Sequence, residues 1–237
     1  MGTRLRGVID GQPKGLLRLG ERPIVEESIE LLREAGVANI VIVTGFCAEA
    51  YGELVSRHAA TLRTVHNPLF AESGSMYSLY CARDAVSDDF LLLESDLIYE
   101  PRALTTLLQH PAQDAILLSG PSDAGDEVLV STREGRLVNM SKHRTELGGE
   151  IAGELVGISK ISFSLFRLMQ RTAVKIFERS LRYDYETGCL VAVASQQAIA
   201  CPIVPDLVWC EIDDAEHLRR ARERIHPEIR RRIATGA

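Results

Sequence analysis

Asn39-Ile40-Val41-Ile42-Val43-Thr44-Gly45 is the stretch that decides the fold. Four successive β-branched apolar residues leave no polar face, so the run predicts a parallel strand covered on both sides. The residues before it, 23–35, predict an amphipathic helix. Ile24, Val25, Ile29, Leu31, Leu32 and Ala35 form its apolar stripe, Pro23 suits its first turn, and Gly36 ends it. The same tempo continues with a helix over 48–58, a strand over 62–66 and a helix over 75–85. A strand over 89–94, a helix over 103–109 and a strand over 114–119 follow. Strands alternating in this way predict an α/β protein with a Rossmann-like, doubly wound mixed sheet.

The second half changes character. Short strands are expected over 127–131, 136–140 and 154–158, then a long helix over 162–178 and another over 185–195. Two short strands near Ile203 and Val208 and a charged helix from Asp214 onward complete it. With no internal repeat, linker or low-complexity segment, residues 1–237 are expected to form a single domain.

The 237 residues are 46% apolar and 25% charged, with a net charge of −6. That balance argues against general nucleic-acid binding. No apolar run approaches the roughly 20 residues that span a bilayer, so no membrane insertion is expected. No signal segment opens the chain, which predicts a cytoplasmic location. Cys47, Cys81, Cys189, Cys201 and Cys210 have no metal or disulfide spacing and read as small buried side chains. The C-terminal arginines, interleaved with Glu216, Glu223 and Glu228, read as a solvated helical face, with a homodimer contact as the alternative use.

Ligands of open α/β sheets sit at the carboxyl ends of the strands. Three features fall there. Gly2, Thr3, Arg4 and Lys14 supply a flexible backbone, a planar fork of donors and a compact charge, as a triphosphate-gripping loop needs. Leu91-Leu92-Leu93-Glu94-Ser95-Asp96 ends a strand in carboxylates, and so does Trp209-Cys210-Glu211-Ile212-Asp213-Asp214. Asp96 and Asp213 are the candidate Mg²⁺ ligands, because hard oxygen donors beside phosphate suit that ion. Each has an ordinary alternative: an aspartate after a strand can form a turn or cap the next helix. The functional reading rests on all four charged positions occurring in order.

These motifs carry a resemblance. G-T-R-L at residues 2–5, P-K-G-L-L at 13–17, the PIVEESIELLREAG helix and the IVIVTG strand resemble nucleotidyltransferases of the sugar-phosphate and phosphocholine type. Asn67-Pro68, the Ser75-Met76-Tyr77-Ser78-Leu79-Tyr80 segment, the E-S-D strand end and the late E-I-D are similar to phosphocholine and 2-aminoethylphosphonate cytidylyltransferases. The resemblance implies transfer of a nucleotidyl group from CTP to a small phosphorylated or phosphonylated acceptor, with release of pyrophosphate and with Mg²⁺ as cofactor. It implies that Arg4 and the backbone of Gly2 and Thr3 hold the outer phosphates, while Lys14 acts at the α-phosphate. It further implies that Asp96 and Asp213 hold the metal and that the Ser73-Gly74-Ser75 turn meets base or ribose. Residues to about 120 would then bind the nucleotide and 121–237 the acceptor.

Members of that group begin with a strand and an A-A-G segment ahead of the G-T-R loop. The resemblance therefore implies one of two things: Met1 is an internal methionine with the true start upstream, which is the favoured reading, or the chain is a truncated form that lacks this strand. Where phosphocholine enzymes place a tryptophan, this chain has Gly125-Asp126-Glu127-Val128. Asp126, Glu127, Asp184, Glu186 and Glu211 suit a primary ammonium better than a trimethylammonium, which favours an amine-bearing acceptor. A sugar-1-phosphate nucleotidyltransferase, a glycosyltransferase and a non-catalytic nucleotide-binding remnant stay open as alternatives.

Overall fold

Pro23, with φ of −58°, leads into α1 (Ile24–Glu34). Its fixed φ and missing N–H cost nothing in a first helical turn. Ile24, Val25, Ile29 and Leu32 turn inward and are buried. Gly36 then takes a φ of +88°, a conformation that favours glycine, and reverses the chain. The computed structural model describes residues 11–122 and 124–235.

β1 (Ile40–Thr44) runs parallel to β2 (Leu62–His66), joined through α2 (Gly52–Arg57). α3 (Ser75–Cys81) leads to β3 (Phe90–Leu93), which is followed at once by β4 (Leu97–Tyr99). α4 (Arg102–Gln109) precedes β5 (Ala115–Ser119), every residue of which is buried. The second half supplies β6 (Leu129–Arg133), β7 (Arg136–Ser141) and β8 (Ile151–Ile161), then α5 (Phe163–Phe177). A π-helical turn, Tyr185–Leu190, runs into α6 (Val191–Val193) where an ordinary helix was expected. β9 (Ile203–Val204), β10 (Trp209–Glu211), α7 (Ala215–Arg220) and α8 (His226–Thr235) complete the order.

The main sheet is mixed, in the order β7-β6-β8-β5-β9, with β3 also on β8. β8 extends beyond the 154–158 expected because it serves several partners: Ser159 and Lys160 lie between β3 and β5, while Gly153 and Glu154 reach β6. A Cβ on Gly153 would stand 2.5 Å from the Ser119 carbonyl, so the close approach there requires glycine.

Two departures bear on function. β1 was expected to be covered on both sides, yet β1 and β2 form a separate two-stranded sheet and Val41–Val43 are only half-buried. Among the described residues no strand stands between β1 and β3, and a cavity of about 940 Å³ lies there instead. The second departure is β4, too short to register in any periodicity. It pairs antiparallel with β10, Leu97 opposite Glu211 and Tyr99 opposite Trp209.

Two buried polar anchors hold the late elements down. Trp209 Nε1 donates to Ser119 Oγ at 2.9 Å. Glu100, fully buried, accepts from Arg102, from Arg232 on α8 and from the Val208 N–H. Further along the helical surface, Arg219 pairs with Glu216 and Glu223, and Arg231 with Glu228, in the i,i+3 and i,i+4 pattern of a solvated face. Among the described residues no helix is long and apolar enough to cross a membrane.

Candidate active site

The β4–β10 pair brings two distant acidic segments together. The Ile212 N–H donates to the Asp96 carbonyl at 3.0 Å, which sets Asp96 and Asp213 side by side. Between them stands Lys14, whose Nζ donates to Asp96 Oδ2 at 3.0 Å and to Asp213 Oδ1. Lys14 lies in a short 3₁₀ turn, Lys14–Leu16, after Pro13. Gly15 seats that turn: a Cβ there would lie 3.1 Å from the Ser95 carbonyl and 3.1 Å from the Tyr51 hydroxyl. Burial opposes the Lys14 charge, but Asp96 and Asp213 outweigh it and raise its pKa to about 12.

Helix capping after β10 falls to Asp214, whose carboxylate accepts from the Glu216 and His217 N–H groups. Asp213 is thereby left to face Lys14. The Asp213 N–H donates to His217 Nδ1 at 3.4 Å, so in the neutral ring Nε2 carries the proton and donates to the Ala124 carbonyl at 3.2 Å. His217 Nε2 also lies 3.6 Å from Asp126. No sequence motif had marked this histidine, and its only signal was its place three residues after the capping aspartate.

A third carboxylate completes the cluster. One oxygen each from Glu94, Asp96 and Glu211 lie within 4.8 Å of one another. Of the pair expected to hold a metal, only Asp96 is in this group, and Glu211, expected at the acceptor, sits here too. Glu94 was read from the sequence as part of the acidic strand end with Asp96, but was not placed in the metal pair. Burial, then Glu186, Glu211 and Asp96, push its pKa well above the carboxylate range. Burial first, then Asp96 and Asp213, push Glu211 up to about 8. Two carboxylates that resist ionisation beside each other make a site that a cation would discharge.

Glu94 is held from two sides. The Tyr185 hydroxyl donates to its Oε1 at 3.1 Å. On the other side Gly157, φ +79°, leaves room: a Cβ there would stand 3.0 Å from Glu94 Oε2. From Glu94 a cavity of about 260 Å³ opens between β8, β10 and the π-helical turn. Asp126, Glu127, Glu186 and Glu211 all line it, joined by Lys142 and Arg220. Glu127 is partly engaged within its own turn, where Oε1 accepts from the Gly125 N–H at 2.8 Å.

The Ser73-Gly74-Ser75 turn was expected to offer free N–H groups to base or ribose. The Gly74 N–H instead donates to the Leu181 carbonyl at 2.8 Å, and Met76 N–H donates to the Tyr183 carbonyl at 3.0 Å. Ser75 Oγ accepts from the Tyr185 N–H, and Asn67 Nδ2 donates to Ser73 Oγ. The turn anchors the segment that carries Tyr185, while Ser75 itself still lines the larger cavity. Gly2, Thr3 and Arg4 lie outside the described residues.

Comparison with known proteins follows the same direction. The profile of the MobA-like NTP transferase domain matches residues 1–161. A CMP-5'-(3-aminopropyl)phosphonate synthase of Streptomyces rubellomurinus is 28% identical across 96% of this chain and 38% of its own. A bifunctional IPC transferase and DIPP synthase of Thermococcus kodakarensis is 27% identical across 94% of this chain and 48% of its own. A choline-phosphate cytidylyltransferase of Streptococcus pneumoniae is 23% identical across 59% of this chain and 64% of its own. The chain thus spans less than two thirds of these relatives. Among solved structures, the inositol-1-phosphate CTP transferase of T. maritima superposes with a TM-score of 0.80 at 20% identity, over 97% of this chain and 92% of that one. The CTP:phosphocholine cytidylyltransferase of Streptococcus pneumoniae superposes with a TM-score of 0.73 at 17% identity, over 94% and 93%. Both likenesses establish the nucleotide-diphospho-sugar transferase type of fold.

Proposed function

Because the chain belongs to the MobA-like NTP transferase domain family, we propose that it is a cytidylyltransferase. It joins CMP from CTP to a small phosphorylated or phosphonylated amino-alcohol and releases pyrophosphate. The observation that carries this reading is the Lys14 ammonium, held between two strand-end aspartates, one of which, Asp96, clusters with the Glu94 and Glu211 that line an acidic cavity.

In such a transfer an acceptor phosphate or phosphonate oxygen attacks the α-phosphorus of CTP in line, and the bond to the β-phosphate oxygen breaks. The acceptor oxygen is already ionised, so catalysis reduces to positioning and charge neutralisation. Lys14, kept charged by its two aspartates, is the group for the charge that develops at the α-phosphate. Arg4, with Gly2 and Thr3, is assigned to the outer phosphates. Asp96, together with Glu94, Glu211 and the adjacent Asp213, fits a hard divalent cation such as Mg²⁺, which would neutralise phosphate charge there. On this reading residues to about 120 serve the nucleotide, and the rest serve the acceptor.

The acceptor end of the cavity favours an amine. Asp126, Glu186 and Glu211 line it, and the one tryptophan there, Trp209, is buried and tied through Nε1 to Ser119, a single ring where an aromatic cage needs several. A primary ammonium can donate to several carboxylates at once, which a trimethylammonium cannot. 2-Aminoethylphosphonate and phosphoethanolamine are therefore ranked ahead of phosphocholine. The test is a pyrophosphate-release screen that crosses the four NTPs with these three acceptors and a set of sugar 1-phosphates. Release with CTP and an amine-bearing acceptor is expected. Release with sugar phosphates alone would replace the acceptor assignment, and no release with any pair would end the transferase reading.

A further inference from the structure

The acid-lined cavity also holds two cations that the nucleotidyl transfer does not use. Lys142 and Arg220 line it together with Asp126 and Glu127. Lys142 Nζ stands 4.0 Å from Asp126 Oδ2, close enough for attraction and too far for a hydrogen bond. Arg220 is half-buried, and among the described residues no hydrogen bond or ion pair engages its guanidinium. Glu127, its acidic neighbour, is instead taken up by the Gly125 N–H of its own turn. An arginine at a cavity wall with its donors open is a fork for an arriving anion.

These groups occupy the end of the cavity away from Asp96. Asp213 faces Lys14, and its N–H meets His217 on α7. Arg220 follows three residues later, so it shares that face of α7 about 4.5 Å farther along the axis. Asp126 lies 3.6 Å from His217 Nε2, which brings Lys142 to this end too. The opposite end is closed by Glu94 and Glu211, which cluster with Asp96. Ser122, whose buried Oγ has no hydrogen-bond partner among the described residues, adds a further polar wall. The cavity of about 260 Å³ has room beyond an aminoethyl group, whose three non-hydrogen atoms take roughly 30 Å³ each on the scale of liquid water.

We propose that this end of the cavity seats the zwitterionic head of an α-amino acid whose other end carries the acceptor phosphate or phosphonate. Arg220 and Lys142 take the carboxylate, and Asp126 takes the ammonium beside it. An α-amino acid presents both charges on one carbon, and the Asp126–Lys142 pair presents their complements 4.0 Å apart. The inference rests on the transferase reading in one respect, which sets the phosphoryl end of the acceptor beside Lys14 and Asp96. It narrows that reading, because an amine alone uses Asp126 and leaves both cations without an anion. A second phosphoryl group fits worse, since a dianion would crowd Asp126 and Glu127.

The test compares two pairs of acceptors that differ only by a carboxylate. One pair is O-phosphoserine and phosphoethanolamine, the other 2-amino-3-phosphonopropionate and 2-aminoethylphosphonate. Binding to residues 1–237 is read by titration calorimetry with Mg²⁺ and without nucleotide. In at least one pair the carboxylated member is expected to bind about tenfold tighter, as one charge-assisted contact gives. Equal affinities within both pairs, or binding by none of the four, overturn the proposal. Arg220→Gln is expected to bring the members of that pair within about twofold of each other. A preference that survives the substitution overturns the proposal. If Arg220→Gln does not fold, Lys142→Gln at its exposed position decides, and the preference is expected to fall about threefold. An unchanged preference there overturns the proposal. Pyrophosphate release with CTP is read separately. Preferential binding of the carboxylated members without any release ends the transferase reading and leaves the amino-acid seat standing.

Discussion

Asp96 and Glu211 lie at the meeting ends of β4 and β10, and their carboxylate oxygens come within 4.8 Å of each other. Burial, with Asp96 as the leading charged neighbour, holds Glu211 protonated up to about pH 8. A carboxyl whose folded pKa is raised contributes stability below its unfolded value, near 4.3, and that contribution is lost as pH rises through about 8. A cation must displace the same proton. Mg²⁺ affinity, measured by titration calorimetry without nucleotide, is therefore expected to strengthen by up to roughly tenfold per pH unit until about pH 8 and then level off. A flat profile between pH 6 and 8 would remove Glu211 from the cation site.

Asp96→Asn keeps the size of the side chain and the Asp213 contact to Lys14. The variant should fold with a Tm close to that of the parent, and its turnover should fall by roughly 10²–10³-fold, the usual cost of losing one preorganised charged group. Pyrophosphate release within threefold of the parent would take Asp96 out of the site.

Lys14→Ala should lower kcat more than it raises the KM for CTP, because the ammonium is assigned to charge that grows in the transition state. The substitution also leaves Asp96 and Asp213 facing each other without a cation. Added Mg²⁺ should consequently raise the Tm of this variant more than that of the parent. A pure KM effect would make Lys14 a binding group only.

Gly15→Ala tests the seat beneath Lys14. The new methyl would stand 3.1 Å from the Ser95 carbonyl and from the Tyr51 hydroxyl, so the 3₁₀ turn or these neighbours must give by a few tenths of an ångström. A full ångström of misplacement would lower kcat/KM by about 10²-fold, so this smaller shift is expected to lower it severalfold while the fold persists. Circular dichroism matching the parent with unimpaired kinetics would show that the turn has slack.

Glu100→Ala addresses stability away from the chemistry. It strips the buried partner from Arg102, Arg232 and the Val208 N–H, and breaking such a buried pair costs about 3–5 kcal/mol. Urea unfolding should show that loss. A change below about 1 kcal/mol would mean that Arg102 and Arg232 re-pair fully with Asp206.

Much of the first half was legible because periodicity and punctuation agree there: Pro23 and Gly36 bracket α1, and the Leu62–His66 strand lies where expected. β1 illustrates the limit. Its four apolar residues specify a strand wanting cover on both sides, but composition says nothing about which neighbour supplies it. β4 was illegible for another reason: three residues carry no period, and its strand character comes from pairing with β10, more than a hundred residues later in the chain. The metal candidates were located at strand ends, whereas the approach of Glu94 and Glu211 depends on that unforeseen pairing. The engaged amides of the Ser73–Ser75 turn were equally hidden, because their acceptors at Leu181 and Tyr183 follow from the π-helical turn and its packing.

His217 has an implication for how acceptor choice can change. Its Nδ1 accepts from the main chain of Asp213, the residue that restrains Lys14, and its Nε2 donates to Ala124 in the loop that leads to Asp126 and Glu127. The floor of the proposed reaction centre and the rim proposed to recognise the acceptor are therefore tied to one ring. Remodelling that rim by inserting residues would tilt the floor with it. Exchanging side chains that leave the ring's two tethers untouched is the route by which this scaffold can acquire a new acceptor and keep its chemistry.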